Sequence, residues 1–229
     1  MYFYPGSKQI VNITRVIKFL SLPALDTGRP WVHLRKVVRT PSIAMFIQTE
    51  ATPNPATLKF LPGREVMGEG AVADFPSAET AGRSPLAKAL FEIPEVSRVF
   101  FGADFISVTK RDGDWKHLKP SILGTVMEHF TRGLPLMEGA ADETEETYND
   151  EDSDVVAQIK ELIETRVRPA VAQDGGDIIF KGFDGSSGVV SLHLQGSCAG
   201  CPSSTMTLKN GIENMLRHYV PEVTAVEAV

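Results

Sequence analysis

Apolar and polar positions follow one period in some stretches of the chain and another elsewhere, and the changes mark the elements. Phe46, Gln48 and Glu50 alternate with Ile47 and Thr49, and Leu58-Lys59-Phe60-Leu61 resumes the apolar run. Between them lies Thr52-Pro53-Asn54-Pro55. Proline cannot donate to a strand ladder, so this is a turn or edge interruption between two strands. Pro62-Gly63 ends the second strand. Ser84-Pro85 predicts an N-cap with proline at the first helical position, opening a short helix through Leu86, Leu90 and Phe91. Val99-Phe100-Phe101 and Phe105-Ile106-Ser107-Val108 read as a hairpin around Gly102-Ala103-Asp104. Ile122, Val126, Met127 and Phe130 recur at helical spacing, and Gly133 closes that helix.

From residue 154 the pattern begins again. Val155, Ile159, Leu162, Ile163 and Val167 form an amphipathic stripe, and Gly175-Gly176 breaks the chain into a turn. Two strands follow, 178–183 and 189–194, joined by Asp184-Gly185-Ser186-Ser187-Gly188. Leu208, Ile212, Met215, Leu216 and Tyr219 predict a helix that Pro221 ends, and 223–229 supplies a last strand. The order is α-β-β-α-β, small but long enough to fold alone.

Charge divides the chain more sharply than hydropathy. Residues 1–44 carry seven Lys/Arg and one acid, Asp26, whereas 138–153 carry eight acids and no base. The expected class is therefore α+β: two small mixed domains, 45–137 and 154–229, joined by an acidic flexible linker at 138–153 and preceded by a basic leader at 1–44. The linker is too polar to bury an ordering core. Arg15 and Lys18 interrupt the apolar stretch that a secretory signal requires. The leader reads first as an upstream extension with translation starting at Met45, which implies a cytoplasmic protein. The alternative is a transit peptide, basic and acid-poor, which implies the mitochondrial matrix. No run approaches ~18 uncharged apolar residues, so no membrane span is expected. A net charge of -6 gives no support for a nucleic-acid partner.

Chemistry concentrates at Gly196-Ser197-Cys198-Ala199-Gly200-Cys201-Pro202-Ser203, between a strand and a helix. Cys198 and Cys201 are the chain's two cysteines. Pro202 suits the first helical turn, which puts Cys201 at the positive end of the helix dipole and favours thiolate. Thiolate is the form that binds soft metals. Two thiolates do not complete a tetrahedral zinc site or a cubane iron–sulfur cluster, each of which takes four ligands. His193, the nearby histidine, falls on the face opposite Leu192 and Leu194 and is expected in solvent. The arithmetic favours two protomers sharing one cluster. A thioredoxin-like dithiol oxidoreductase is the main alternative, although too few residues follow Pro221 to complete that fold. A zinc-bound dimer and a pair of inert buried cysteines also remain, the last opposed by the Gly, Ser and Pro neighbours of a surface turn.

At these residues the chain resembles the Nfu/NifU-like family of iron–sulfur cluster scaffolds and carriers. The similarity in the C-terminal part rests on Arg168-Pro169, Asp174-Gly175-Gly176-Asp177 and the run from Gly196 to Thr205. In the N-terminal part it rests on Met45-Phe46-Ile47-Gln48-Thr49-Glu50, Thr52-Pro53-Asn54-Pro55 and Leu58-Lys59-Phe60. The resemblance implies a [4Fe-4S] cluster bound across a homodimer through Cys198 and Cys201 and passed to apo iron–sulfur recipients. It also implies upstream cluster-assembly partners, and with no Ser/His/Asp or paired-carboxylate arrangement in the sequence no conventional enzyme is expected.

Weaker signals lead nowhere. Gly68-Glu69-Gly70-Ala71-Val72-Ala73 matches a loose dinucleotide pattern outside any βαβ unit, and Asn12-Ile13-Thr14 is a sequon that matters only in a secreted chain. His117 and His129 have no partner at ligand spacing, and the carboxylates of Asp174 and Asp177 read as turn chemistry.

Overall fold

The structure, a computed structural model, describes residues 46–139, 154–199 and 202–229, with backbone alone for 202–204. The readings of the leader, of Met45 as a start, of the linker beyond residue 139 and of Cys201 lie outside the described residues. The class is α+β, and its elements follow from local chemistry.

In residues 46–139, β1 (Gln48–Ala51) and β2 (Thr57–Leu61) are antiparallel neighbours. The turn between them is built by Asn54, whose Oδ1 accepts from the Ala56 amide at 3.0 Å and whose carbonyl accepts from the Thr57 amide at 2.9 Å. A short strand, β3 (Ala73–Phe75), is followed by a 3-10 turn over Ala78–Arg83. Helix α1 (Pro85–Phe91) opens where Ser84 Oγ accepts from the Ala87 amide, with proline at its start. Strands β4 (Val96–Phe101) and β5 (Ile106–Lys110) form the expected hairpin. Helix α2 (Trp115–Arg132) is capped by the Asp114 carboxylate and closed by Gly133, whose φ of 64° suits glycine. The sheet order is β1-β2-β5-β4-β3, antiparallel throughout.

One face of this sheet carries Phe60, Phe101, Ile106 and Val108 into a core with Leu86, Leu90, Ile122 and Val126. The other face presents a lateral row. Lys59 stands opposite Ser107, and Ser107 opposite Phe100. All three are buried, so this face is covered as well.

In residues 154–229 the first helical stretch comes in three pieces. They are α3 (Asp154–Leu162), a π-turn over Ile163–Val167 and α4 (Arg168–Gln173). Pro169 lacks the amide that an unbroken helix would use, and the wider turn precedes it. Strands β6 (Gly176–Asp184) and β7 (Val189–Gly196) are antiparallel. Helix α5 (Pro202–Tyr219) then crosses to β8 (Ala225–Ala228), which lies parallel to β7. This is the α-β-β-α-β order of the pattern. Ile159, Ile163, Val167, Val171, Leu192, Ile212 and Leu216 share one core.

The described residues belong to one compact unit. The covered face of the first half meets the second half where α4 turns into β6 and where β7 ends.

Candidate functional site

Strand β7 stops at Gly196, whose φ of 63° lies in the left-handed region. The chain then folds back on the turn after α4. The Ser197 amide donates to Gly175 O at 3.2 Å, Ser197 Oγ donates to Asp174 O, and the Ala199 amide donates to Gly196 O at 3.2 Å. Thr205, in the first turns of α5, donates its hydroxyl to Cys198 O at 3.0 Å. These bonds fix the backbone on both sides of Cys198.

The Cys198 thiol occupies space that only a glycine leaves open. A Cβ on Gly176 would stand 2.7 Å from Cys198 Sγ and 2.6 Å from Gln195 O. Cys198 is 6% exposed. Burial pushes its thiol up to about 11; the Ser197 hydroxyl opposes the rise, and Asp174 and Asp177 add to it. The neighbouring Gly, Ser and Pro suggested a surface turn, but the turn is covered and Cys198 is inside. Pro202 does begin α5. His193 lies on the face opposite the buried Leu192 and Leu194, as expected, though half-buried, with Nδ1 2.7 Å from Val229 O. Among the described residues no three His, Cys, Asp or Glu side chains converge on a metal position.

Around the turn lies a charged brace. Arg168 Nε donates to Asp177 Oδ1 at 2.9 Å and Nη2 to Oδ2 at 2.8 Å, a two-pronged pair, while Nη1 reaches Glu164 Oε1 at 2.7 Å. Asp177 above all, aided by Glu164, holds the guanidinium charged, overcoming the opposing effect of burial. The brace ties the start of α4 to the start of β6 and so fixes the Gly175-Gly176 turn beneath the sulfur.

Three residues of the first half also reach this place. Asn54 Nδ2 donates to Ser197 O at 3.2 Å, and Ser107 Oγ donates to Gly175 O at 2.6 Å. Lys59 Nζ donates to Ala172 O at 3.2 Å and to Gln173 O at 3.3 Å. By sequence pattern Asn54 is only a turn residue, and Lys59 and Ser107 are strand residues. The available signal was a polar side chain inside an apolar strand run, in Leu58-Lys59-Phe60-Leu61 and Phe105-Ile106-Ser107-Val108.

Comparison with known proteins bears on the same two halves. The family model described as "Scaffold protein Nfu/NifU N terminal" matches residues 47–133, and the "NifU-like domain" matches 159–227. A relative in Drosophila sechellia, named NFU1 iron-sulfur cluster scaffold homolog, mitochondrial, is 49% identical across 89% of this chain and 71% of its own length. A Homo sapiens protein of the same name is 53% identical across 88% of this chain and 78% of its own. NifU-like protein 4, mitochondrial, of Arabidopsis thaliana is 51% identical across 90% and 74%. Other Drosophila relatives are covered over 64–65% of their length. Two family models in order, and this identity over most of the chain, establish that the protein belongs to the Nfu/NifU-like family.

Proposed function

We propose that this chain is an iron–sulfur cluster scaffold that holds a [4Fe-4S] cluster between the Cys198 and Cys201 thiolates of two protomers and passes it to apo-proteins. Family membership and the names of the relatives support the scaffold role. The single observation that carries the site is the seat of Cys198 Sγ against Gly176, in a turn tied on both sides. A thiol held there offers sulfur, the ligand that iron–sulfur clusters take. Four such ligands require two copies of the pair. Delivery is then an exchange of thiolates: each recipient cysteine replaces one scaffold thiolate, and separating the protomers removes half the original ligands.

The dithiol oxidoreductase reading asks for an accessible thiol with a low pKa. Cys198 is buried, and burial pushes it the other way, to about 11. A scaffold tolerates this, because a metal replaces the proton on the sulfur when it binds. The role is one of binding and transfer rather than catalysis. Of the two locations left open by the sequence we take the mitochondrial one, since the relatives are named mitochondrial. No helix of the described residues is long and apolar enough to cross a membrane.

Anaerobic reconstitution with iron and sulfide tests the site. Wild-type protein should turn brown, while Cys198→Ser and Cys201→Ser should lose stable uptake and keep their helical far-UV signal. Uptake that survives both substitutions would refute these ligands.

A further inference from the structure

The covered face of the first-half sheet and the turn between β1 and β2 donate hydrogen bonds to the backbone around Cys198. Asn54, Lys59 and Ser107 supply the donors, and the acceptors are the carbonyls of Ala172, Gln173, Gly175 and Ser197. All four bonds run from a side chain of 46–139 to a carbonyl of 154–229. We propose that residues 46–139 are a releasable cap on the cluster-binding turn, gripping it through Asn54, Lys59 and Ser107. The grip opens before a second protomer's cysteines can share a cluster. The opening step rests on the cluster-sharing reading above, and the cap itself does not.

The fit is too close to be incidental. A Cβ on Gly175 would stand 2.7 Å from Ser107 Oγ, and one on Gly196 would stand 2.9 Å from Phe100 Cγ. Gly175 and Gly196 are the points where the cap presses on the backbone around Cys198. Lys59 is 8% exposed, with its ammonium 4.5 Å over the Phe105 ring. Phe100 and Phe105 pair at 5.9 Å between ring centres, and neither belongs to the core of its own half.

The contact is also built to part. Two hollows lie along it. One, of about 540 Å³, is lined by Lys59, Asp104, Arg168 and Asp177. The other, of about 590 Å³, is lined by Pro53, Val167, Leu208 and Met215. The net contribution of such hydrogen bonds is modest, because water replaces them when they open. While the cap is on, Asn54 occupies the carbonyl of the residue before Cys198, and a second copy cannot approach from that side.

Mass-mapped labelling of the full-length chain tests this at two positions: alkylation of Cys198 and acylation of Lys59. In the apo protein both should be slow. Ser107→Ala removes one donor with little change of volume, and should speed both labels about fivefold. Asn54→Asp keeps the Oδ1 acceptor for Ala56 but sets a carboxylate against Ser197 O, and should speed them about tenfold or more. Circular dichroism confirms the fold of each, and if Asn54→Asp fails to fold, Ser107→Ala decides. In cluster-loaded wild-type protein Lys59 should label as fast as in the variants. Unchanged labelling in folded variants would overturn the cap, and a Lys59 that stays protected after loading would overturn the opening step. A wild-type chain that takes up no cluster would count against the scaffold reading, while the apo comparison still decides the cap.

Discussion

Gly176 is the residue on which the sulfur's position depends. Its missing Cβ makes room for Cys198 Sγ on one side and for Gln195 O on the other. The second neighbour is backbone and cannot swing aside. Gly176→Ala should therefore cost about 1–3 kcal/mol by overpacking, read as a lower denaturant midpoint. It should also reduce iron uptake in protein that remains folded. Cys198 itself makes a prediction about pH. Its thiol is raised to about 11, above the ordinary value near 8.5. In apo Cys201→Ser protein, alkylation of Cys198 should climb with pH well past 9 and level off near 11. The folded state keeps the proton that the unfolded chain gives up near 8.5. The contribution of this thiol to stability is thus intact below 8.5 and is lost as pH rises toward 11. Both cysteines stand out in the sequence as the candidate site because they are the chain's only thiols. The burial of Cys198 does not, because it joins the core of Ile178, Leu194 and Ile212, which forms only once the strands and helices of the second half have met.

At the scale of elements, local chemistry predicted most of what formed. The Ser84-Pro85 start, the Gly133 stop, the hairpin and the α-β-β-α-β order all rest on neighbours in sequence. Strand β3 escaped because three residues carry no period, and it is made a strand by pairing with β4. The Arg168–Asp177 brace escaped because helix and strand positions nine residues apart meet only once the Gly175 turn is formed. Arg168→Met should leave the Asp177 carboxylate buried without its partner and cost about 3 kcal/mol, visible as a lower thermal midpoint. Arg168→Lys should also lose stability, since one ammonium cannot replace the fork. Helix α2 supplies a second pH dependence. His129 is buried, its Nε2 has no hydrogen-bond partner among the described residues, and burial lowers its pKa below 6.5. Glu92, Glu128 and Arg132 line the same hollow. The unfolded chain takes up this proton first, so stability should fall as pH drops through 6.5. His129→Gln should flatten that slope in melts between pH 7.5 and 5.5.

For the whole molecule, the sequence suggested two tethered domains, while the structure adds a contact between them. The hint lay in Val99-Phe100-Phe101 and Phe105-Ile106-Ser107-Val108, where residues on both faces of the strands are apolar or buried. Such continuous runs belong to a sheet covered on both sides. Alternation assigns one face to the core of the first half; nothing local says what covers the other. The central claim is that two chains share one cluster through Cys198 and Cys201, and native mass measurement of anaerobically reconstituted full-length protein tests it most directly. The account predicts two chains carrying about four irons, reverting to single chains when a chelator strips the metal. A single chain that carries the cluster without added thiol, or a metal-free product with disulfide-reductase activity, would contradict it.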